Sequence, residues 1–211
     1  MATALDHLVV AAATLEQGED YVEAKVGVRP RRGGKHVAMG THNSVLRLGE
    51  RVYLEVIAVD PEARAQAPPR WFELDRPEMQ SALAASPRLI HWVARCDDIE
   101  AMRRACPIDP GPVHALSRGD FRWRMTVPDD GHLPGGGVLP TLIEWSGASH
   151  PADAMPDNHL TLTGLAAAHP TPGLIRATLA ALGLSDTLKV SYDMTPRLAA
   201  MLATPRGPVS L

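Results

Sequence analysis

Two kinds of apolar run alternate along this chain: short runs of period two, which predict strands, and longer runs of period near four, which predict helices. The first short run, LDHLVVA from Leu5 to Ala11, returns in altered form as LIHWVA from Leu89 to Ala94. Written one under the other without gaps, His7 lies over His91. Alternation puts Leu5, His7 and Val9 on one face of the first strand, and Leu89, His91 and Val93 on the matching face of the second. Each run leads into a helix start: Thr14 as N-cap of a helix stopping near Gly27, and Asp97-Asp98 before a helix from Ile99 to Ala105 that halts at Pro107. More strands follow in both halves. In the first, residues 28–35 run into a Gly-Gly turn, and Ser44 to Leu48 pairs with Val52 to Val59 as a hairpin across Gly49-Glu50. In the second, the candidates are 112–116, 120–127 and 139–145, interrupted by the glycine-rich loop 128–137.

Each half therefore predicts a βαβββ module, residues 1–61 and 88–148, joined at 62–87 by a connector that reads as a Pro/Ala loop and a short helix. Residues 149–211 add a strand, a helix, a strand and a tail broken at Pro205-Arg206-Gly207, a partial βαββ extension. A single four-stranded module cannot bury both faces of its sheet, so pairing side by side is the expected solution. The fold class expected is α+β, with paired βαβββ modules forming a curled mixed sheet around a cleft.

The same two strand pairs carry the candidate chemistry. VYLEVIAV at Val52 to Val59 and TLIEWSGA at Thr141 to Ala148 each hold one acid in an apolar strand, and Glu55 lies over Glu144. A lone carboxylate there is costly to bury unless something pairs with it. A metal ion shared by His7, Glu55, His91 and Glu144 is one such partner. The alternative pairs the acids with arginines such as Arg122 or Arg124 and leaves the histidines as satisfied core residues. His36, Thr41, His42 and Asn43 follow the double glycine, where a strand begins near the cleft; they are candidates for substrate contact, with His36 as a possible acid or base, against the reading that they serve the turn. Phe121 to Met125 alternate, so Arg122 and Arg124 share one face and either hold an anionic substrate or cover a solvated surface. Trp123 belongs to the apolar face. The loop with His132 and three glycines is either a lid or a slack surface loop.

Composition narrows the partners. With 21 basic against 24 acidic residues and a formal charge of -3, there is no basic excess to suggest nucleic acid. Cys96 and Cys106 are too few for a disulfide framework and lack zinc-ribbon spacing, so a reducing cytoplasm is expected. No apolar run has the length of a membrane span.

Together, LDHLVVA, GGKHVAMGTHNSVLRLG, VYLEVIAVDP, LIHWVA and LPTLIEW resemble the vicinal oxygen chelate superfamily of glyoxalases, extradiol dioxygenases and bleomycin-resistance proteins, and its glyoxalase-like branch most. The most specific part is GGKHxxxGTHN followed by YLE. The resemblance implies paired βαβββ units with a divalent metal (Zn, Ni, Mn, Co or Fe) in the cleft, held by His7, Glu55, His91 and Glu144. It also implies an isomerase or lyase, less readily a dioxygenase, acting on a small oxygen-rich metabolite, with Glu55 or Glu144 as base, in a chain that often forms a homodimer. The competing expectation is a metal-free protein that sequesters a ligand without turnover.

Overall fold

The structure, a computed structural model, describes residues 3–64 and 69–211; part of the expected Pro/Ala loop, at 65–68, lies outside the described residues. The first module runs β1 (Thr3–Ala11), α1 (Leu15–Val26), β2 (Arg31–His36), β3 (Thr41–Gly49) and β4 (Val52–Val59). The connector supplies a one-turn helix at Trp71–Glu73 and α2 (Pro77–Ala85). The second module repeats the pattern with β5 (Arg88–Cys96), α3 (Ile99–Ala105), β6 (Val113–Arg118), β7 (Phe121–Thr126) and β8 (Thr141–Trp145). The predicted caps are in place: Thr14 Oγ1 accepts from the Gln17 N–H at 3.2 Å, and Asp98 Oδ1 accepts from the Ala101 N–H at 2.9 Å.

The modules fuse into one eight-stranded sheet of order β2-β3-β4-β1-β5-β8-β7-β6. At its centre β1 and β5 run antiparallel, with His7 opposite Val93 and Val9 opposite His91, so the two strand histidines are related by an approximate two-fold axis. The sheet curls until its edge strands meet. A Cβ built on Gly34 of β2 would lie 2.9 Å from Arg118 Cδ of β6.

Alternation along β1 sends residues to two cores. Leu8 and Val10 pack on the helix side with Leu15 and Val22 of α1 and Ile99 of α3. Val9 turns to the concave side with Ile57, Val93, Trp123 and Ile143, and the connector's Trp71 and Phe72 close over them. Burying each such aliphatic side chain contributes about 1.5–3 kcal/mol.

Residues 149–211 form a separate four-stranded sheet of order β10-β9-β11-β12, from β9 (Thr161–His169), β10 (Lys189–Tyr192), β11 (Arg197–Thr204) and β12 (Gly207–Ser210), with α4 (Pro172–Ala181) after β9. The tail forms two strands across the break at Pro205-Arg206-Gly207, where the chain turns back and pairs Leu202 with Val209. Leu165, Ile175, Leu179 and Leu202 join the helix-side core, so the extension backs the main sheet. No helix among the described residues is long and apolar enough to cross a membrane.

Candidate active site

The concave cleft is lined by His7, His36, Tyr53, Glu55, Trp71, Phe72, Arg118, Trp123, Met125, Ile143 and Trp145. Its volume is about 20 Å³, room for about one water molecule.

The centre of the site is a line of three side chains. Asp6 Oδ1 lies 2.6 Å from His7 Nδ1, and His7 Nε2 faces Glu55 Oε2 at 3.6 Å. All three residues are buried. Asp6 accepts at Nδ1, so that nitrogen carries a proton, and Nε2 is the nitrogen that faces Glu55 and the cleft. Burial would raise the Asp6 carboxyl, but hydrogen bonds from His150 and His7 outweigh it and hold the group well below the usual carboxylate range. Glu55 is fixed at its other oxygen, where Oε1 accepts from Asn43 Nδ2 at 2.6 Å. Tyr53 stacks on His7, with ring centroids 4.5 Å apart.

A second group reaches Glu55 from β2, β3 and β6. His36 Nε2 is 3.8 Å from Glu55 Oε1 and 3.3 Å from Arg118 Nη1, and His36 Nδ1 lies 3.1 Å from Thr41 Oγ1. Burial pushes the His36 imidazole down to about 4 against a weaker upward pull from Glu55, so at neutral pH it is uncharged and accepts from Arg118. Arg118 Nη1 also donates to Asn43 Oδ1 at 2.8 Å, which leaves Nη2 without a hydrogen bond among the described residues. The double glycine makes this possible. A Cβ on Gly33 would fall 2.2 Å from Asn43 Oδ1, and one on Gly34 would strike Arg118.

The remaining predicted residues part company. His91 faces the same side as His7 but is sealed below the cleft: its Nε2 accepts from the Thr141 N–H at 3.1 Å and lies 2.9 Å from Thr141 Oγ1, its Nδ1 lies 3.2 Å from the Gly137 carbonyl, and the Phe72 ring covers it at 5.1 Å. Burial lowers its pKa to about 3. Glu144 is on the other face of the sheet, where Oε2 accepts from the Ile99 N–H at 2.8 Å and Arg124 binds both oxygens. The expected four-ligand metal set therefore does not form, because one acid points away and one imidazole has both nitrogens occupied. Among the described residues no three of His, Cys, Asp and Glu are grouped to hold a metal ion, so the donors do not fit the ion that the resemblance implied.

Arg124 serves Glu144, and Arg122 is exposed, donating to the Gly119 and Phe121 carbonyls, so neither reaches the cleft. Trp123 does line it, and Thr41 and Asn43 are buried beneath it. His42 alternates away from Thr41 and Asn43, and its Nε2 is buried with no hydrogen-bond partner among the described residues. The loop considered as a lid is packed instead: besides the contact of Gly137 with His91, the Val138 carbonyl accepts from Trp92 Nε1 at 2.8 Å.

Four residues were missed from sequence. Asp6 broke the apolar alternation but was passed over as the polar member of a strand. Arg118 sits before a Gly-Asp turn with no motif around it. His150 lies in a Pro-rich loop. Trp71 comes from the connector and packs edge-on to His36 at 5.1 Å, its Nε1 buried and without a hydrogen-bond partner.

The model of a family described as the glyoxalase-like domain matches residues 5–183. Among solved structures, a hypothetical protein from Staphylococcus aureus matches with a TM-score of 0.62 at 11% identity, over 93% of this chain and 88% of that one. Methylmalonyl-CoA epimerase from Mycobacterium tuberculosis matches with a TM-score of 0.42 at 18% identity, over 69% of this chain and 88% of that one. At these identities the likeness is one of fold. No curated protein matches the chain at a significant level.

Proposed function

Because this chain belongs to the glyoxalase-like domain family, within the vicinal oxygen chelate superfamily, we propose that its cleft is the active site of an isomerase or lyase that moves a proton on a small anionic, oxygen-rich metabolite. The observation that carries this reading is the buried row Asp6, His7, Glu55, in which Asp6 orients His7, Asn43 fixes Glu55, and His7 Nε2 and Glu55 Oε2 lie 3.6 Å apart at the cleft. Glu55 Oε2 takes the proton from a carbon beside a carbonyl, and the C–H electron pair moves onto the carbonyl oxygen as an enolate. Arg118 and the Trp71 indole N–H supply the charge and the hydrogen bond for that oxygen or for the neighbouring carboxylate. His7 Nε2, 3.6 Å from Glu55 Oε2, relays the proton between the two carbons of an isomerisation. His36, neutral at pH 7, steadies Arg118 rather than donating a proton. No step runs through a metal ion, since the donors do not fit one.

A cleft of this size admits a substrate only when Trp71 and Phe72 move. Phe72 and Glu73 hold φ of 60° and 58°, a conformation that costs non-glycine residues about 1–3 kcal/mol each, which marks this turn as the strained part of the wall. The rings of Trp71, Phe72, Trp123 and Trp145 favour a second reading, in which the cleft binds a planar ligand without turnover.

The discriminating experiment incubates small 2-oxo and 2-hydroxy carboxylates and their thioesters with the protein in deuterium oxide and follows exchange at the carbon beside the carbonyl by NMR. Exchange of at least one compound, slowed about a hundredfold in Glu55→Gln, is expected. Binding without exchange of any compound establishes the second reading, and exchange indifferent to Glu55→Gln overturns the first.

A further inference from the structure

His150 follows the second module, in the segment leading to the extension, yet it reaches back to the first strand of the first module. Its Nε2 lies 3.0 Å from Asp6 Oδ2, and both side chains are buried. Two neighbours fix the residue, one at its ring and one at its backbone N–H. The Ala152 N–H donates to His150 Nδ1 at 3.2 Å, and Asp153 Oδ2 accepts from the His150 N–H at 2.9 Å, closing a capping box around the short helix Pro151–Ala154. Because Nδ1 accepts, Nε2 carries the proton and donates it to Asp6. Trp145 Nε1 donates to the same oxygen at 2.9 Å. The Asp6 carboxylate is thereby held at Oδ2 by two donors, which turns Oδ1 towards His7 Nδ1 at 2.6 Å. Tyr53 packs between the two imidazoles, stacked on His7 at 4.5 Å and edge-on to His150 at 5.7 Å.

We infer that His150 is a positioning residue for His7: through Asp6 it sets which nitrogen of His7 faces Glu55, and so the segment after the second module completes a site built on the first. Only the kinetic arm of the test rests on the proposed function. Any buried carboxylate needs donors on its oxygens; what marks this one is that one of them is the imidazole whose other nitrogen faces Glu55, the arrangement of an orienting carboxylate.

The test uses the full chain with ¹⁵N-labelled histidine. In the wild type, His7 is expected as the Nδ1–H tautomer and His150 as the Nε2–H tautomer, assigned with His7→Gln and His150→Gln; the opposite tautomer on either ring overturns the inference, whether or not any variant folds. In His150→Ala the His7 signals are expected to shift towards a tautomer mixture. The exchange rate of a substrate found as above is expected to fall about tenfold with its KM within twofold, and His150→Gln, whose amide can still donate to Asp6, is expected to restore both. Unchanged His7 signals in a folded His150→Ala protein overturn the inference, as does failure of folded His150→Gln to restore them. Correct tautomers with no exchange on any substrate leave the positioning intact and overturn the proposed function alone.

Discussion

Thr141 holds in the second module the register position that Glu55 holds in the first. Val9 pairs with Glu55 across β1 and β4, and Val93, its two-fold counterpart, pairs with Thr141 across β5 and β8. Where the first half presents a carboxylate to its strand histidine, the second presents a hydroxyl and a backbone N–H that close on His91. The two halves share a frame and differ in chemistry.

Glu55 and Glu144 should therefore behave as opposites. Glu55→Gln keeps the hydrogen bond with Asn43 and is expected to leave the melting temperature nearly unchanged while slowing turnover about a hundredfold. Glu144→Gln is expected to leave turnover within twofold. It weakens a half-exposed pair with Arg124 and the Ile99 cap, so its cost is about 1 kcal/mol in a denaturant titration. Loss of activity in Glu144→Gln would restore that residue to the site.

Acid should weaken the fold in a defined window. His36 and His91 have folded-state pKa values of about 4 and about 3, below the ordinary 6.5, so between these limits the unfolded chain binds protons that the folded one refuses. Stability is thus expected to be level above pH 6.5 and to fall as pH drops towards 4 and then 3, by on the order of several kcal/mol in all. Asp6, whose pKa is also depressed, contributes in the same sense at lower pH: its stabilisation is present above 3.8 and is lost below it. His91→Asn should flatten the curve between pH 6.5 and 3 in urea titrations at fixed pH, and an unchanged slope would contradict the burial argument.

Gly34→Ala tests how Arg118 is seated. The added methyl meets the flexible stem of Arg118, not backbone, so the fold should lose little while the guanidinium shifts from Asn43. Affinity for an anionic ligand is expected to fall about tenfold, with Arg118→Ala falling at least as far, both read by calorimetry. Gly33→Ala should be worse in stability, because its methyl meets the buried amide of Asn43.

Metal removal provides a separate check. Because the His7, Glu55, His91 and Glu144 donors do not converge, prolonged dialysis against a chelator is expected to leave melting temperature and turnover unchanged. A drop in either that one divalent ion reverses would show that the side chains rearrange around it.

The repeat of strand histidines, the hairpin at Gly49-Glu50 and the helix caps were legible because each rests on local rules: alternation, turn residues and N-caps; the Gly-Gly pair expected as a turn lies instead inside β2. His7, Glu55, His36 and Asn43 were legible for the same reason, being pinned to strands of clear parity or to the double glycine. Glu144 was misread because TLIEW was aligned by its acid, whereas pairing follows Thr141; the two lie an odd number of residues apart, so the acid falls on the opposite face. Arg124 then lies directly across from it and completes the pair. Asp6 escaped because the register of β1 against β5 is irregular between Leu5 and His7, which lets consecutive residues contribute to one cluster. Arg118 and His150 reach the cleft only through curling of the sheet and the return of a distant loop, and no short window of sequence carries either.

The seam between β1 and β5 sets one more asymmetry, since the residue before His7 is Asp6 while the residue before His91 is Ile90, buried and apolar. On the reading proposed above, the first copy supplies the groups that move a proton, and the second supplies Arg118 and most of the wall. Substitutions in that wall, at Trp123, Met125 or Ile143, are then expected to change which molecule fits while leaving Asp6, His7 and Glu55 in place, so that selectivity can drift while reactivity is kept.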